Sequence, residues 1–166
     1  MSDCNCVVLA MGARMVAMSD PYDLERFVEA QRGTYEQACA ELRRGRKTGH
    51  WMWFIFPQIA GLGMSSISQR YAIGSVGEAR AYLAHAVLGA RLRAICGIVL
   101  EVERRTAEEI FGWPDNAKLR SSMTLFAKAT EENAEFVGVL EKYFGGERDE
   151  RTVELAVQAD APPAPS

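Results

Sequence analysis

Ten residues, Gly49–Gln58 (GHWMWFIFPQ), limit what this chain can fold into more than any other segment. They hold two of the three tryptophans, two of the seven phenylalanines, one of the two histidines and a proline stop. So much aromatic surface is either buried or used to grip a planar ligand beside a charge. By propensity the run could form a strand, but a strand needs a partner for its backbone groups. Period-two alternation extends nowhere far enough to supply one. The run is therefore expected to be a short buried helix that ends at Pro57.

The remaining sequence has helical spacing with start and stop signals. Leu88, Leu92, Ile95, Val99 and Val102 step by four and three residues over four turns, the cleanest amphipathic stripe present. Asp20-Pro21-Tyr22-Asp23 offers an acceptor and then proline at a first helical position, after which Leu24, Phe27 and Val28 recur up to Gly33. Tyr35, Ala38 and Leu42 mark a second helix that stops at Gly45. Ser75-Val76-Gly77-Glu78 and Thr106-Ala107-Glu108-Glu109 read as capping boxes, with ends at His85 and Gly112. Asp115 is placed to cap a helix with Leu119, Met123 and Phe126 inward. Thr130 is placed to cap one with Phe136, Val139, Leu140 and Tyr143 inward, up to Gly145. Asp149 with Thr152 opens a last short helix around Val153–Val157. Together these signals predict a mainly α chain, a compact single-domain orthogonal bundle of about seven to eight helices with no substantial sheet. The domain is expected over 18–158. Residues 1–17 read as a disordered extension or a mis-called start, and 159–166 as a disordered tail.

At 166 residues, 48% hydrophobic and 25% charged, the chain has the size and composition of one globular domain. Its net charge of −3 gives no overall field for nucleic acid or an anionic membrane, so neither is expected as a partner. The longest apolar run, Trp51–Pro57, falls far short of the roughly 20 residues a membrane span needs. Cys4, Cys6, Cys39 and Cys96 form neither a disulfide framework nor paired zinc knuckles, which points to a reduced, cytoplasmic setting. Cys39 and Cys96 adjoin apolar stripes and read as inert core thiols.

Gly45-Arg46-Lys47-Thr48 resembles the end of a phosphate-binding loop, yet arginine stands before the lysine and Glu41 heads it, so the nest of amides is missing. Gly61 and Gly63 follow Pro57-Gln58 instead of a strand, and lack the third glycine of a dinucleotide fingerprint. His50 and His85 lie on different elements, and neither a metal site nor a cofactor is expected. What remains is a constellation. Lys47 and Arg46 can hold an anion, Trp51 can stack on a planar ring, and His50 can transfer a proton near neutral pH. Gln58, Ser65, Ser66 and Asp115 could converge on the same place. Such a cluster suits a phosphorylated or nucleotide-like small molecule. Each piece also has a bland reading: basic residues in a helix's last turn complement its dipole, Trp53 and Phe56 read as core, and Asp115 reads equally well as an N-cap. Trp53–Pro57 is thus expected to be the buried half of the aromatic run, with function sought at Lys47, His50 and Trp51.

GRKTGHWMWFIFPQIAGLGMSSISQRYAI, AYLAHAVLGARL, IFGWPDNAKLRSSMTLFA and YFGGERDERTVELA, in this order, resemble an uncharacterised bacterial family, a domain of unknown function, over about Pro21–Ala156. The resemblance implies a compact, mainly α-helical fold with no established activity. Members are sometimes labelled calpastatin, a disordered repeat inhibitor that a packed core pattern does not fit. This chain departs from the family pattern in having Gly49 where serine is usual and His85-Ala86 where His-Pro is usual. More distantly, His50-Trp51, His85-Ala86-Val87-Leu88 and Phe111-Gly112 with Asp115 are similar in order to motifs of the NADAR family. That likeness implies N-glycosidic chemistry on ADP-ribose-linked or phosphoribosyl substrates. Two functional classes follow. One is a nucleotide- or ADP-ribose-related binding protein with N-glycosidase-like hydrolase activity, with Asp115 or His50 activating water or protonating the departing base. The other is a non-enzymatic interaction or structural module whose aromatic cluster is core.

Overall fold

The computed structural model describes residues 19–162. The expectations for 1–17, with Cys4 and Cys6, and for the last four residues of the tail lie outside that range. Within it the chain forms ten helices: α1 (Glu25–Gln31), α2 (Thr34–Arg43), α3 (Met52–Ile55), α4 (Ser66–Arg70), α5 (Val76–Ala84), α6 (Leu88–Glu101), α7 (Ala107–Phe111), α8 (Asp115–Ala129), α9 (Ala134–Phe144) and α10 (Glu150–Asp160). The number exceeds the expected seven to eight; α3, α4 and α7 are pieces of four or five residues, and of these α4 carried no expectation from the sequence. Among the described residues the one β-type pairing is an isolated bridge between Ile59 and Ile73.

The amphipathic stripe explains the centre of the molecule. Leu88, Leu92, Ile95 and Val99 are all buried on α6, and α5, α6, α8 and α9 pack against one another around them. α5 and α6 meet at 88°, so the bundle is orthogonal. α10 lies on α8 and α5, α2 on α6, α7 on α8, and α1 on α2 and α3. Aromatic edges tie these layers together, with Phe27–Tyr82 at 5.2 Å, Tyr82–Phe126 at 5.3 Å and Phe56–Phe111 at 5.9 Å between ring centroids. Cys39 and Cys96 sit in this core, and burial pushes both thiols up, away from the reactive thiolate. No single helix among the described residues is long and apolar enough to cross a membrane.

Several caps differ from the sequence expectation. Asp20 does accept backbone N–H bonds, but from Leu24 and Glu25, 2.8 and 3.0 Å away. Asp23 has a φ of 51°, so Pro21 and Tyr22 form a turn and the helix starts only after it. Ser75 caps α5 through Glu78 N at 3.0 Å, whereas the Glu78 carboxylate turns away to Gly74 N and Arg26, leaving half a capping box. Thr106 and Glu109 form both halves of theirs. Thr130 holds Glu132 N in the preceding loop, and α9 starts after Asn133, whose amide donates to Ala127 O at 2.9 Å. Asp149 caps α10 as expected, although that helix continues to Asp160, past Val157.

Candidate functional site

The loop from Arg44 to Trp51 joins α2 to α3, and two carboxylates hold it. Glu41, in the last turn of α2 and 1% exposed, accepts from Thr48 N at 2.8 Å, Gly49 N at 2.9 Å, Trp51 Nε1 at 2.9 Å and Gln37 Nε2 at 2.9 Å. Burial works to raise its pKa. The Gly49 and Thr48 amides, with Gln37 and Trp51, outweigh it and bring the carboxyl from 4.5 down to about 2. A Cβ at Gly49 would lie 2.7 Å from the Trp51 ring and 3.0 Å from Glu41 Oε1, so any larger residue here obliges the indole or the loop to shift.

Asp115 holds the loop from α8. It is the first residue of that helix and makes no cap bond, so the N-cap expectation is corrected. Its carboxylate instead meets Lys47 Nζ at 2.7 Å and Lys118 Nζ at 2.9 Å. Burial opposes ionisation, yet the two lysines prevail and hold the carboxyl below its ordinary value. Lys47 Nζ also donates to Gly49 O at 2.6 Å and lies 5.0 Å from the Trp51 ring, while Lys118 Nζ lies 4.9 Å from the Trp53 ring.

Two cavities border this cluster. Arg46, Lys47 and Arg105 line one of about 320 Å³, shared with Glu108, Glu109 and Gly112. Among the described residues Arg46 and Arg105 carry no ion pair. The other, of about 110 Å³, is lined by Trp53, Gln58, Gly61, Ser68, Gln69 and Tyr71, with short aliphatic and backbone neighbours.

The expected residues are thus only partly assembled. Lys47 and Asp115 touch, Arg46 adjoins Lys47 in the basic cavity, and Gln58 is in the neutral cleft. Trp51 is corrected from platform to core: it is 1% exposed and its Nε1 is bonded to Glu41, so no ring face is open. Trp53, expected to be core, is half-buried and lines the cleft. His50 is exposed and, among the described residues, has no hydrogen-bond partner. Ser65 spends its hydroxyl capping α4 through Ser68 N, and Ser66 is exposed on that helix; neither lines the cleft. Reading the sequence also missed Glu41, Arg105 and Lys118. Lys118 alone carried a signal, its i, i+3 spacing from Asp115. No cluster of three or more metal-ligating side chains occurs among the described residues.

The model of the family described as "Protein of unknown function (DUF1810)" matches residues 21–156. The conserved hypothetical protein Rv1873 from Mycobacterium tuberculosis, known from a crystal structure, is 56% identical, with 83% of this chain and 99% of that one covered and a TM-score of 0.82. No curated protein matches.

Proposed function

The chain belongs to the DUF1810 family, and we propose that it binds a phosphorylated or nucleotide-like small molecule beside Lys47, Asp115 and Lys118 and hydrolyses an N-glycosidic bond there, in the cytoplasm. The observation that carries the reading is the double engagement of Lys47, which pairs with Asp115 at 2.7 Å and also lines the cavity holding unpaired Arg46 and Arg105. Guanidinium groups that make no ion pair among the described residues, beside a lysine and outnumbering with it the two glutamates Glu108 and Glu109 on the same lining, favour a phosphate. Asp115, held ionised, is a base and not an acid at neutral pH. In the proposed step water attacks the anomeric carbon, one water proton passes to Asp115, and the C–N electron pair leaves with the base. The departing nitrogen takes its proton from His50 or solvent. The carboxylate also offsets positive charge developing on the ribosyl ring.

Thermal-shift measurements with ribose 5-phosphate and ADP-ribose test the binding. The wild type is expected to be stabilised by both, and Arg46→Ala with Arg105→Ala to lose the response while keeping its own melting temperature. Unchanged responses in that double variant would sink the anion site. A second reading has its own observation: both Asp115 oxygens are satisfied by lysines, as in a purely structural clamp. Retained hydrolysis of ADP-ribose analogues by Asp115→Asn, or none by the wild type, favours that module.

A further inference from the structure

The cleft under Trp53 differs from everything around it in charge. Its lining contains no Asp, Glu, Lys, Arg or His, although Lys118 sits 4.9 Å from the Trp53 ring and connects it to Asp115. A phosphate or carboxylate would find no counter-charge inside. At about 110 Å³, against roughly 30 Å³ per liquid water, it accommodates a single ring system.

Its polar groups are neutral and partly free. The Gln58 carboxamide has no hydrogen-bond partner among the described residues, whereas the backbone C=O of Gln58 is fixed by Ile73 N at 2.8 Å. Gln69 makes one long bond, from Nε2 to Met64 O at 3.3 Å, and its Oε1 is unused. Ser68 is committed to Ser65. The Gly61–Gly63 turn brings backbone to the rim: Gly61 has a φ of +100°, and a Cβ on Gly63 would stand 2.5 Å from Ser68 Oγ. A free carboxamide offers two donors and an acceptor in one plane, the complement of a heterocycle edge with adjacent donor and acceptor. Trp53 and Tyr71 supply aromatic walls.

We infer that this cleft is the subsite for the base of a nucleotide, with Gln58 reading its hydrogen-bonding edge and Trp53 packing on its ring. The inference rests on the proposed anion site and gives that site its ligand class, a nucleoside 5′-phosphate.

Ligand-observed NMR titration with AMP, IMP, GMP, CMP, UMP and ribose 5-phosphate tests it. At least one nucleotide is expected to bind about tenfold or more tightly than ribose 5-phosphate. Gln58→Leu and Trp53→Leu remove that advantage and leave ribose 5-phosphate binding as it was; Gln58→Asn and Trp53→Phe, retaining the chemistry, keep the fold if the larger changes do not. No nucleotide exceeding ribose 5-phosphate, or an advantage that survives Gln58→Leu, overturns the base subsite and leaves the anion site standing. Nucleotide binding that ignores Arg46→Ala with Arg105→Ala removes the anion site alone. If nothing binds, both fail.

Discussion

Two carboxylates grip the loop between α2 and α3, Glu41 through four uncharged donors and Asp115 through two lysines. Glu41 is buried, and three of its donors belong to the loop itself, so its removal takes the acceptor from all three at once, of which the buried Trp51 indole N–H is the one least able to turn to water. The Asp115 partners are long cationic side chains that retain other contacts, Gly49 O for Lys47 and the Trp53 ring for Lys118. Fixed neutral donors make an anchor. Charged donors that each hold a second contact make a cluster in which one partner can be exchanged for another, which a site needs and an anchor does not.

Substitutions rank this difference. Glu41→Ala is expected to have the largest effect, about 3 kcal/mol or more by urea denaturation, because Thr48 N, Gly49 N and Trp51 Nε1 lose their acceptor together. The same carboxylate imposes a pH dependence. Its folded pKa of about 2 lies below the ordinary 4.5, so its contribution is complete above pH 4.5 and is lost as pH falls toward 2. Glu41→Gln should flatten that part of the stability–pH profile; an unaltered profile would show that the acid sensitivity resides elsewhere. Trp51→Phe keeps an aromatic ring in the core but loses the Glu41 bond and some packing, for about 1 to 2 kcal/mol in the same assay. Asp115→Asn keeps one oxygen to accept from a lysine but leaves the largely buried Lys47 without a counter-charge, so it should cost about 1 to 2 kcal/mol and yet abolish any hydrolytic activity, a split between stability and rate that Glu41→Gln should not show. A stability loss for Asp115→Asn as large as that of Glu41→Ala would erase the contrast. Smallest is His50→Ala, within roughly 0.5 kcal/mol by thermal melting, since the ring is exposed and makes no hydrogen bond among the described residues.

Trp51 and Trp53 show why the site was less legible than the fold. Trp51 precedes α3 with non-helical backbone and Trp53 lies within it, so helical periodicity does not relate the two rings and only one of them is buried in the core. A four-residue helix shows too little of its own pattern to say which. Tertiary contacts settled it, with Phe56 against Trp51 at 6.3 Å and Glu41 on its indole N–H. On longer helices the period repeats often enough to define the face, and the α6 stripe is buried as spaced.

The sequence by itself determined every helix but α4, their order, and the starts capped by Ser75, Thr106 and Asp149, because spacing, proline, glycine and capping side chains act within a few residues. Tertiary structure alone decided that Asp115 would meet Lys47 instead of capping α8, and that Glu41 would be filled by the loop that follows it. The same holds for the neutral cleft, where Gln58 comes to lie with Gln69 and Tyr71. Those pairings join residues from different elements, and the energy that fixes them is desolvation against hydrogen bonding at the place where the helices close, which local pattern does not encode.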